Sequence, residues 1–422
     1  DAHRVSSAPR GLRTHIGLFG RRNVGKSSVL NALTRQEVAI VSATPGTTTD
    51  PVEKPMELLP LGPVVFIDTA GIDDEGVLGE QRVAKTRKAL ERTDLALLVA
   101  EAAAWGPFEE ELLAQIRARS TPVVVVLNKA DTGPAPAGLP EHLAAAGVPA
   151  VQTSIPSGAG LDELRQALLA AAPADAVEGR RIVGDLVSPG DVVVLVTPID
   201  AEAPKGRLIL PQVQTLRDLL DTGAVSVVVR EHELRGALSA LAAPPRLVVT
   251  DSQAFRQVAA EVPPGVPLTS FSILFARFQG DLAEMARGVR GVDRLKAGDR
   301  VLVAEACTHH PVGEDIGRVK IPAWLRARTG VPLEFETVQG RDFPDDLSRY
   351  ALVVHCGSCM GNRRQMLSRL LRGRREGVPV TNYGLAIAYS LGILERALEP
   401  FPAALEAFRL AAPPPSSPEV TT

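Results

Sequence analysis

Three cysteines in 422 residues are too few, and the wrong parity, for a disulfide framework, and they fit a reducing compartment. Aromatic residues are also scarce, at 4%. A basic excess is missing: 46 Lys and Arg against 49 Asp and Glu leave a net charge of -3. Counterion release then has little to work with, and nucleic acid is not expected as a partner. No run of about 18 apolar residues occurs, and Asp1–Arg13 is polar, without the apolar stretch of a signal peptide. A soluble, cytoplasmic protein with no membrane partner is expected. What remains is the composition of an ordinary globular protein, 45% hydrophobic and 23% charged, long enough for several cores; three domains are expected.

From Thr14 to about Ala172, short β-branched runs alternate with amphipathic stretches. Ile16–Phe19, Val64–Ile67, Leu95–Ala100 and Val123–Leu127 read as buried parallel strands, which predicts a doubly wound, mostly parallel α/β domain over residues 10–172. Asp131–Leu139 reads as a surface loop and Ala171–Arg181 as a linker. A connecting α/β segment, 182–268, offers strands at Asp191–Thr197, Val225–Val229 and Leu247–Thr250 and a helix near Gln212–Leu220, but no chemistry of its own. Residues 269–410 return to α/β, with strands at Arg300–Ala304 and Ala351–Val354 and helices near Pro322–Thr329 and Arg363–Arg372. The Pro/Ser-rich end, 411–422, reads as a disordered tail. No internal repeat is evident.

Gly20-Arg21-Arg22-Asn23-Val24-Gly25-Lys26-Ser27, with Ser28 behind it, follows the first predicted strand and opens a predicted helix. In that setting backbone N–H groups wrap the β-phosphate, Lys26 reaches the β- and γ-phosphates, and Ser27 ligates magnesium. The remaining parts follow in order. Thr48 lies in a Gly/Pro-punctuated loop suited to closing on the γ-phosphate and magnesium. Asp68 and Gly71 bound Asp68-Thr69-Ala70-Gly71 after a buried strand, with Asp68 in the magnesium shell. Lys26, Thr48, Asp68 and Gly71 form the expected catalytic set. Asn128-Lys129-Ala130-Asp131 follows another strand, and the Asp131 carboxylate accepts from guanine N1–H and the 2-amino group, which adenine cannot match. GTP is therefore the expected nucleotide, with Ser154 as a last guanine contact.

These motifs resemble the GTPase branch that includes the tRNA-modifying and ribosome-assembly GTPases. Ile72 stands where Ras-like enzymes carry a water-orienting Gln, so hydrolysis is expected to be slow unless assisted. Asn23 matches the position that helps bind potassium in cation-activated members, and the resemblance implies K+ beside Mg2+.

All three cysteines fall in one pattern, Cys307-Thr308-His309 and, after the next predicted strand, His355-Cys356-Gly357-Ser358-Cys359. Three thiolates with one imidazole, His309 or His355, would close a structural zinc site. Three thiolates with a replaceable or absent fourth ligand would instead hold a [4Fe–4S] cluster, with one of His309 and His355 able to ligate and the other orienting a ligand. The residues leave these two readings open.

A GTPase domain, a connecting domain and then Cys-x-His…His-Cys-x-x-Cys resemble the [FeFe]-hydrogenase maturation GTPases along nearly the whole chain. The resemblance implies a GTP-hydrolysing scaffold that holds a [4Fe–4S] cluster on Cys307, Cys356 and Cys359. It receives a two-iron precursor built with two radical-SAM maturases and delivers it to apo-[FeFe]-hydrogenase. It also implies a homodimer built through residues 182–268. The alternative is a zinc-containing GTPase of ribosome or tRNA biogenesis, which would call for a basic face that this composition lacks.

Overall fold

The computed structural model describes residues 13–34, 52–58, 62–68, 86–173, 180–198, 208–305, 316–340, 342–358 and 362–411. Thr48, Gly71, Cys307, His309, Cys359 and residues 412–422 lie outside the described residues. The chain forms two compact units, Asp1–Arg180 and Arg181–Thr422.

In the first unit β1 (Thr14–Phe19), β2 (Val52–Leu58), β3 (Gly62–Asp68), β4 (Leu95–Glu101), β5 (Val123–Asn128) and β6 (Ala150–Gln152) are ordered β2-β3-β1-β4-β5-β6. Among the described strands only the β2–β3 pair is antiparallel. Helices α1 (Lys26–Thr34), α2 (Pro107–Arg117), α3 (Leu139–Ala145) and α4 (Leu161–Ala171) cover the two faces. Alternate strand residues divide between two cores. Leu18, Phe66, Leu97 and Val126 meet Leu30 of α1 and Leu164 of α4, while Phe19, Leu98 and Leu127 meet Leu113 of α2 and Leu143 of α3. Burial on both sides is why these strands read as unbroken apolar runs. The two strands the sequence did not show are edges: β2 carries charges and Pro55, and β6 has three residues, none fully buried.

The second unit holds two four-stranded, wholly parallel sheets. One contains β7 (Val192–Val196), β8 (Val225–Val229), β9 (Leu247–Thr250) and β10 (Leu268–Ser270); the other contains β11 (Arg300–Glu305), β12 (Glu334–Gln339), β13 (Leu352–His355) and β14 (Val380–Asn382). Its helices include α5 (Leu210–Thr222), α6 (Phe271–Gln279), α7 (Ile321–Thr329), α8 (Arg363–Glu376) and α9 (Tyr383–Ser390). The boundary expected between 268 and 269 falls inside β10, which pairs with β9 and so belongs to the earlier sheet.

The two sheets repeat each other, which corrects the expectation that the chain has no internal repeat. Their strand orders, β8-β7-β9-β10 and β12-β11-β13-β14, correspond one to one. So do their registers: Val193 faces Leu247 and Val196 faces Thr250 in the first, Val301 faces Leu352 and Ala304 faces His355 in the second. The helix after the first strand opens at Leu210-Pro211 in one half and Ile321-Pro322 in the other. Each ends on a left-handed glycine, Gly223 at φ 79° and Gly330 at φ 69°. Val266-Pro267-Leu268-Thr269-Ser270-Phe271 returns as Val378-Pro379-Val380-Thr381-Asn382-Tyr383. Ser270 and Asn382 then cap their helices, accepting from Ile273 N–H at 3.2 Å and Leu385 N–H at 2.9 Å.

Both halves share one hydrophobic core. Helix α6 of the first meets α9 of the second, where Asn382 Nδ2 donates to Ser272 O at 2.9 Å and Gly384 N–H to Ser272 Oγ at 3.0 Å.

Candidate nucleotide and metal sites

The phosphate loop leaves the end of β1 between β3 and β4. Gly25 has φ +93°, and a Cβ there would collide with the Asn128 amide, so this position requires glycine. Lys26 Nζ, buried, donates to Gly20 O at 2.5 Å and Arg21 O at 2.8 Å. The lysine is folded over its own loop, its ammonium held at the loop's mouth by these two carbonyls. Asn23 is exposed at φ +65°, Arg22 is exposed, and Val24 is buried in the core behind the loop. Ser27 and Ser28 lie in the first turn of α1, whose positive dipole end favours phosphate. Asp68 ends β3, directly across from Leu18.

The guanine-side residues converge through hydrogen bonds. Asn128 Nδ2 donates to Val24 O at 2.9 Å, tying the end of β5 to the phosphate loop, and Asn128 Oδ1 accepts from Thr153 Oγ1 at 3.0 Å. Ala130 N–H donates to Thr153 O at 3.1 Å. Lys129, at φ +57°, forms an ion pair with Glu101 at the end of β4. Asp131 is exposed, its carboxylate open to a base. The buried Ser154 hydroxyl has no hydrogen-bond partner among the described residues, an orphan that fits a site completed by a ligand.

Sequence reasoning missed Glu109, whose carboxylate is almost fully buried in α2. It accepts from Arg21 Nε at 2.7 Å, Arg21 Nη2 at 3.1 Å and Gly106 N–H at 3.0 Å. The Arg21 guanidinium also lies 5.0 Å from the Phe108 ring. The only signal was an acidic residue three places after the glycine that opens a helix, the pattern of a capping box.

In the second unit, β11 and β13 are parallel neighbours, and they form the topological switch point, since β12 and β14 lie on opposite sides of them. Ligand sites in open parallel sheets form outside strand carboxyl ends at such points. Cys307 follows the end of β11 by two residues and Cys356 follows β13 at once. Cys356 N–H donates to Ala304 O at 2.9 Å, so the two strands end side by side. Cys356 is half-buried, and its Sγ accepts from Ser358 N–H at 3.5 Å, with Ser358 at φ +53°. A tight turn that aims an N–H at sulfur favours a thiolate and fits a metal-ligating Cys-x-x-Cys. Among the described residues no group of three or more His, Cys, Asp or Glu is placed to hold a metal ion.

His355 is fully buried and both ring nitrogens are engaged. Nε2 lies 2.5 Å from Arg369 Nη1 and Nδ1 lies 2.8 Å from Cys356 O. Burial, then the Arg369 charge, push the imidazole down to about 3. Of the two roles expected for His355, ligand or support, this geometry suits support. Arg369, which the sequence did not announce, also donates to Gly340 O at 2.9 Å and stacks 4.7 Å from the Phe343 ring. In the first half of the unit Asp251 takes the place of Cys356. Its N–H donates to Val196 O at 3.2 Å and its Oδ1 accepts from Gln253 N–H at 3.0 Å.

Comparison with known proteins divides along the same lines. The 50S ribosome-binding GTPase family matches residues 15–129, the hydrogen maturase F dimerization domain residues 182–280, and the hydrogen maturase F tetramerization domain residues 283–400. Tthe tRNA modification GTPase MnmE of Parasynechococcus marenigrum is 41% identical over 182 residues, 42% of this chain and 38% of that protein. GTPase Der of Wolinella succinogenes is 41% identical over 135 residues, 31% of this chain and 28% of that protein. The chain thus spans well under half the length of these relatives. The structure of Aquifex aeolicus Era bound to GDP·AlF4- is 26% identical, covering 51% of this chain and 93% of that one, with a TM-score of 0.32. A P-loop GTPase domain is followed in order by both hydrogen maturase F domains, which together take in more than half of the residues, and the chain belongs to the hydrogen maturase F family.

Proposed function

We propose that the chain is a GTP-hydrolysing scaffold and carrier in [FeFe]-hydrogenase maturation. Cys307, Cys356 and Cys359 hold a [4Fe–4S] cluster, and a two-iron precursor made with two radical-SAM maturases is passed to apo-[FeFe]-hydrogenase. The observation that carries this reading is the pairing of β11 with β13, which launches both cysteine segments from one switch point. Held by three thiolates, such a cluster offers one iron for ligand exchange. The protein's part is to hold the thiolates: the Ser358 N–H bond steadies Cys356, and His355 and Arg369 fix the carbonyl beneath it.

In the first unit Lys26 and the α1 N–H groups bind phosphate, Ser27, Thr48 and Asp68 hold Mg2+, and Asp131 selects guanine. Asn23 holds K+, which substitutes for an arginine finger at a slow hydrolytic centre. GTP, through the loops at Thr48 and Gly71, gates partner association or transfer. Self-association uses β8, an edge strand with Val225 51% and Val228 43% exposed. The equivalent edge β12 is guarded by Glu334 and Glu336, paired with Arg300 and Arg349.

Anaerobic purification, metal and sulfide analysis, and EPR of the reduced protein test the central claim. About four irons per chain with a reducible cluster signal is the expected result; zinc alone would overturn it.

A further inference from the structure

The turn that follows Cys356 rests on the cysteine-free half of the unit. Gly357 lies against α6, where a Cβ would fall 3.6 Å from the Phe275 Cβ. Arg363, the first residue of α8, sends Nη1 to the carbonyls that end α6: Gly280 O at 2.6 Å, with Phe278 O at 3.4 Å and Arg277 O at 3.5 Å. A cation at a helix N-terminus is disfavoured by that helix's own dipole. Here the C-terminal carbonyls of another helix accept it, so the start of α8 is fixed to the end of α6.

The same helix end holds the chain where the second unit begins. Arg277 Nη1 donates to Asp185 Oδ1 at 2.9 Å and to Ile182 O at 3.4 Å, and Nη2 pairs with Asp185 Oδ2. Asp218 Oδ2 accepts from Ile182, Val183 and Gly184 N–H, each at 2.8 Å, from the other side. In the second half Asp293 and Tyr389 stand at the places of Asp185 and Arg277, joined by a hydroxyl hydrogen bond and bridged by Arg290 of the same short helix as Asp293, whose Nη1 donates to Tyr389 Oη at 3.2 Å and Asp293 Oδ2 at 3.4 Å. The guanidinium fork in the first half adds a second grip on residues 182–185.

We propose that Asp185, Arg277 and Arg363 are positioning residues for the cysteine turn. Through them the segment that follows the N-terminal unit sets where α8 begins and so how the turn at Cys356 is held. What this does for iron rests on reading Cys356 as a cluster ligand.

The test is amide hydrogen exchange on the full-length iron-free protein, read at Gln365 and Met366, whose N–H groups bond to Asn362 Oδ1 and Asn362 O. Asp185→Asn is expected to speed exchange there about two- to fivefold, the range a partly exposed ion pair supplies. Arg363→Gln should do the same. If Asp185→Asn disturbs folding, Arg277→Lys keeps the charge and removes the fork, with the same effect expected. A change confined to residues 181–187 in every folded variant overturns the proposal. Iron release to a chelator, measured on reconstituted protein, should accelerate by the same factor. Faster exchange with unchanged iron release keeps the three residues as positioners of the turn and overturns their link to iron retention, leaving the ligand assignment to Cys356→Ser.

Discussion

The Nε2 of His355 lies 2.5 Å from Nη1 of Arg369, with both side chains buried. A guanidinium only donates, so Nε2 accepts and the ring proton sits on Nδ1, facing the Cys356 carbonyl. The imidazole is thus held neutral, at about 3 against an ordinary 6.5. In the unfolded chain it takes a proton below 6.5, while the folded chain refuses one until about 3. Stability of the iron-free protein therefore falls as pH drops through this window, by about 2 kcal/mol from pH 6.5 to pH 5 for this one group. Urea unfolding at several pH values should show the slope in the wild type and its loss in His355→Gln.

Asp131 should govern base choice. Asn in its place keeps the shape and loses the charge that accepts from guanine, weakening GTP by about 30- to 150-fold, or about 2–3 kcal/mol. Xanthosine triphosphate, which offers a carbonyl where guanine has its amino group, should gain in the same variant. Equal losses for both nucleotides would refute the assignment.

Potassium should speed GTP turnover over sodium by at least about tenfold if an ion at Asn23 stabilises transition-state charge. Asn23→Gly retains a residue suited to φ +65° and deletes the side-chain oxygen, so it should erase the difference while the protein stays folded. Equal rates of the wild type in the two salts would remove the cation from the mechanism.

Cys356→Ser keeps a group that accepts from Ser358 N–H and replaces a soft ligand with a hard one. The variant should fold, hydrolyse GTP normally and fail to retain iron after desalting. Retention of a full cluster signal would show that Cys356 is not a ligand.

Val228→Lys puts a charge on the open edge of β8, a device sheets use against edge pairing. Light scattering on the purified chain should show a smaller oligomer than the wild type, with GTP turnover intact. An unchanged mass would move self-association to another surface.

Much of the fold was legible where residues are buried on both sides. Val123–Leu127 lies within β5 and Leu247–Thr250 forms β9 at the expected residues, and the phosphate loop joins strand to helix as its motif requires. Short edge strands escaped because three residues such as Val380–Asn382 carry no period. The repeat escaped for a different reason. Its two halves share backbone register, caps and turn geometry, but apolar residues exchange freely within the core, and Asp251 and Cys356 share a place without sharing chemistry. At the sites, motif residues could be named from spacing, whereas Glu109 and Arg369 act through contacts that only folding creates.

The fused pair of sheets frees the chain from a constraint that binds symmetric dimers. Two identical subunits express every substitution twice, so a thiol gained at one mouth appears at the other, and an apolar edge on one side appears on both. Joined in one polypeptide, the halves diverge independently. One carries an uncharged rim and a carboxylate at Asp251; the other carries Cys356 and a guarded rim. Division of labour between assembly and chemistry is thereby written into a single core, in which a substitution that loosens either half is felt by both.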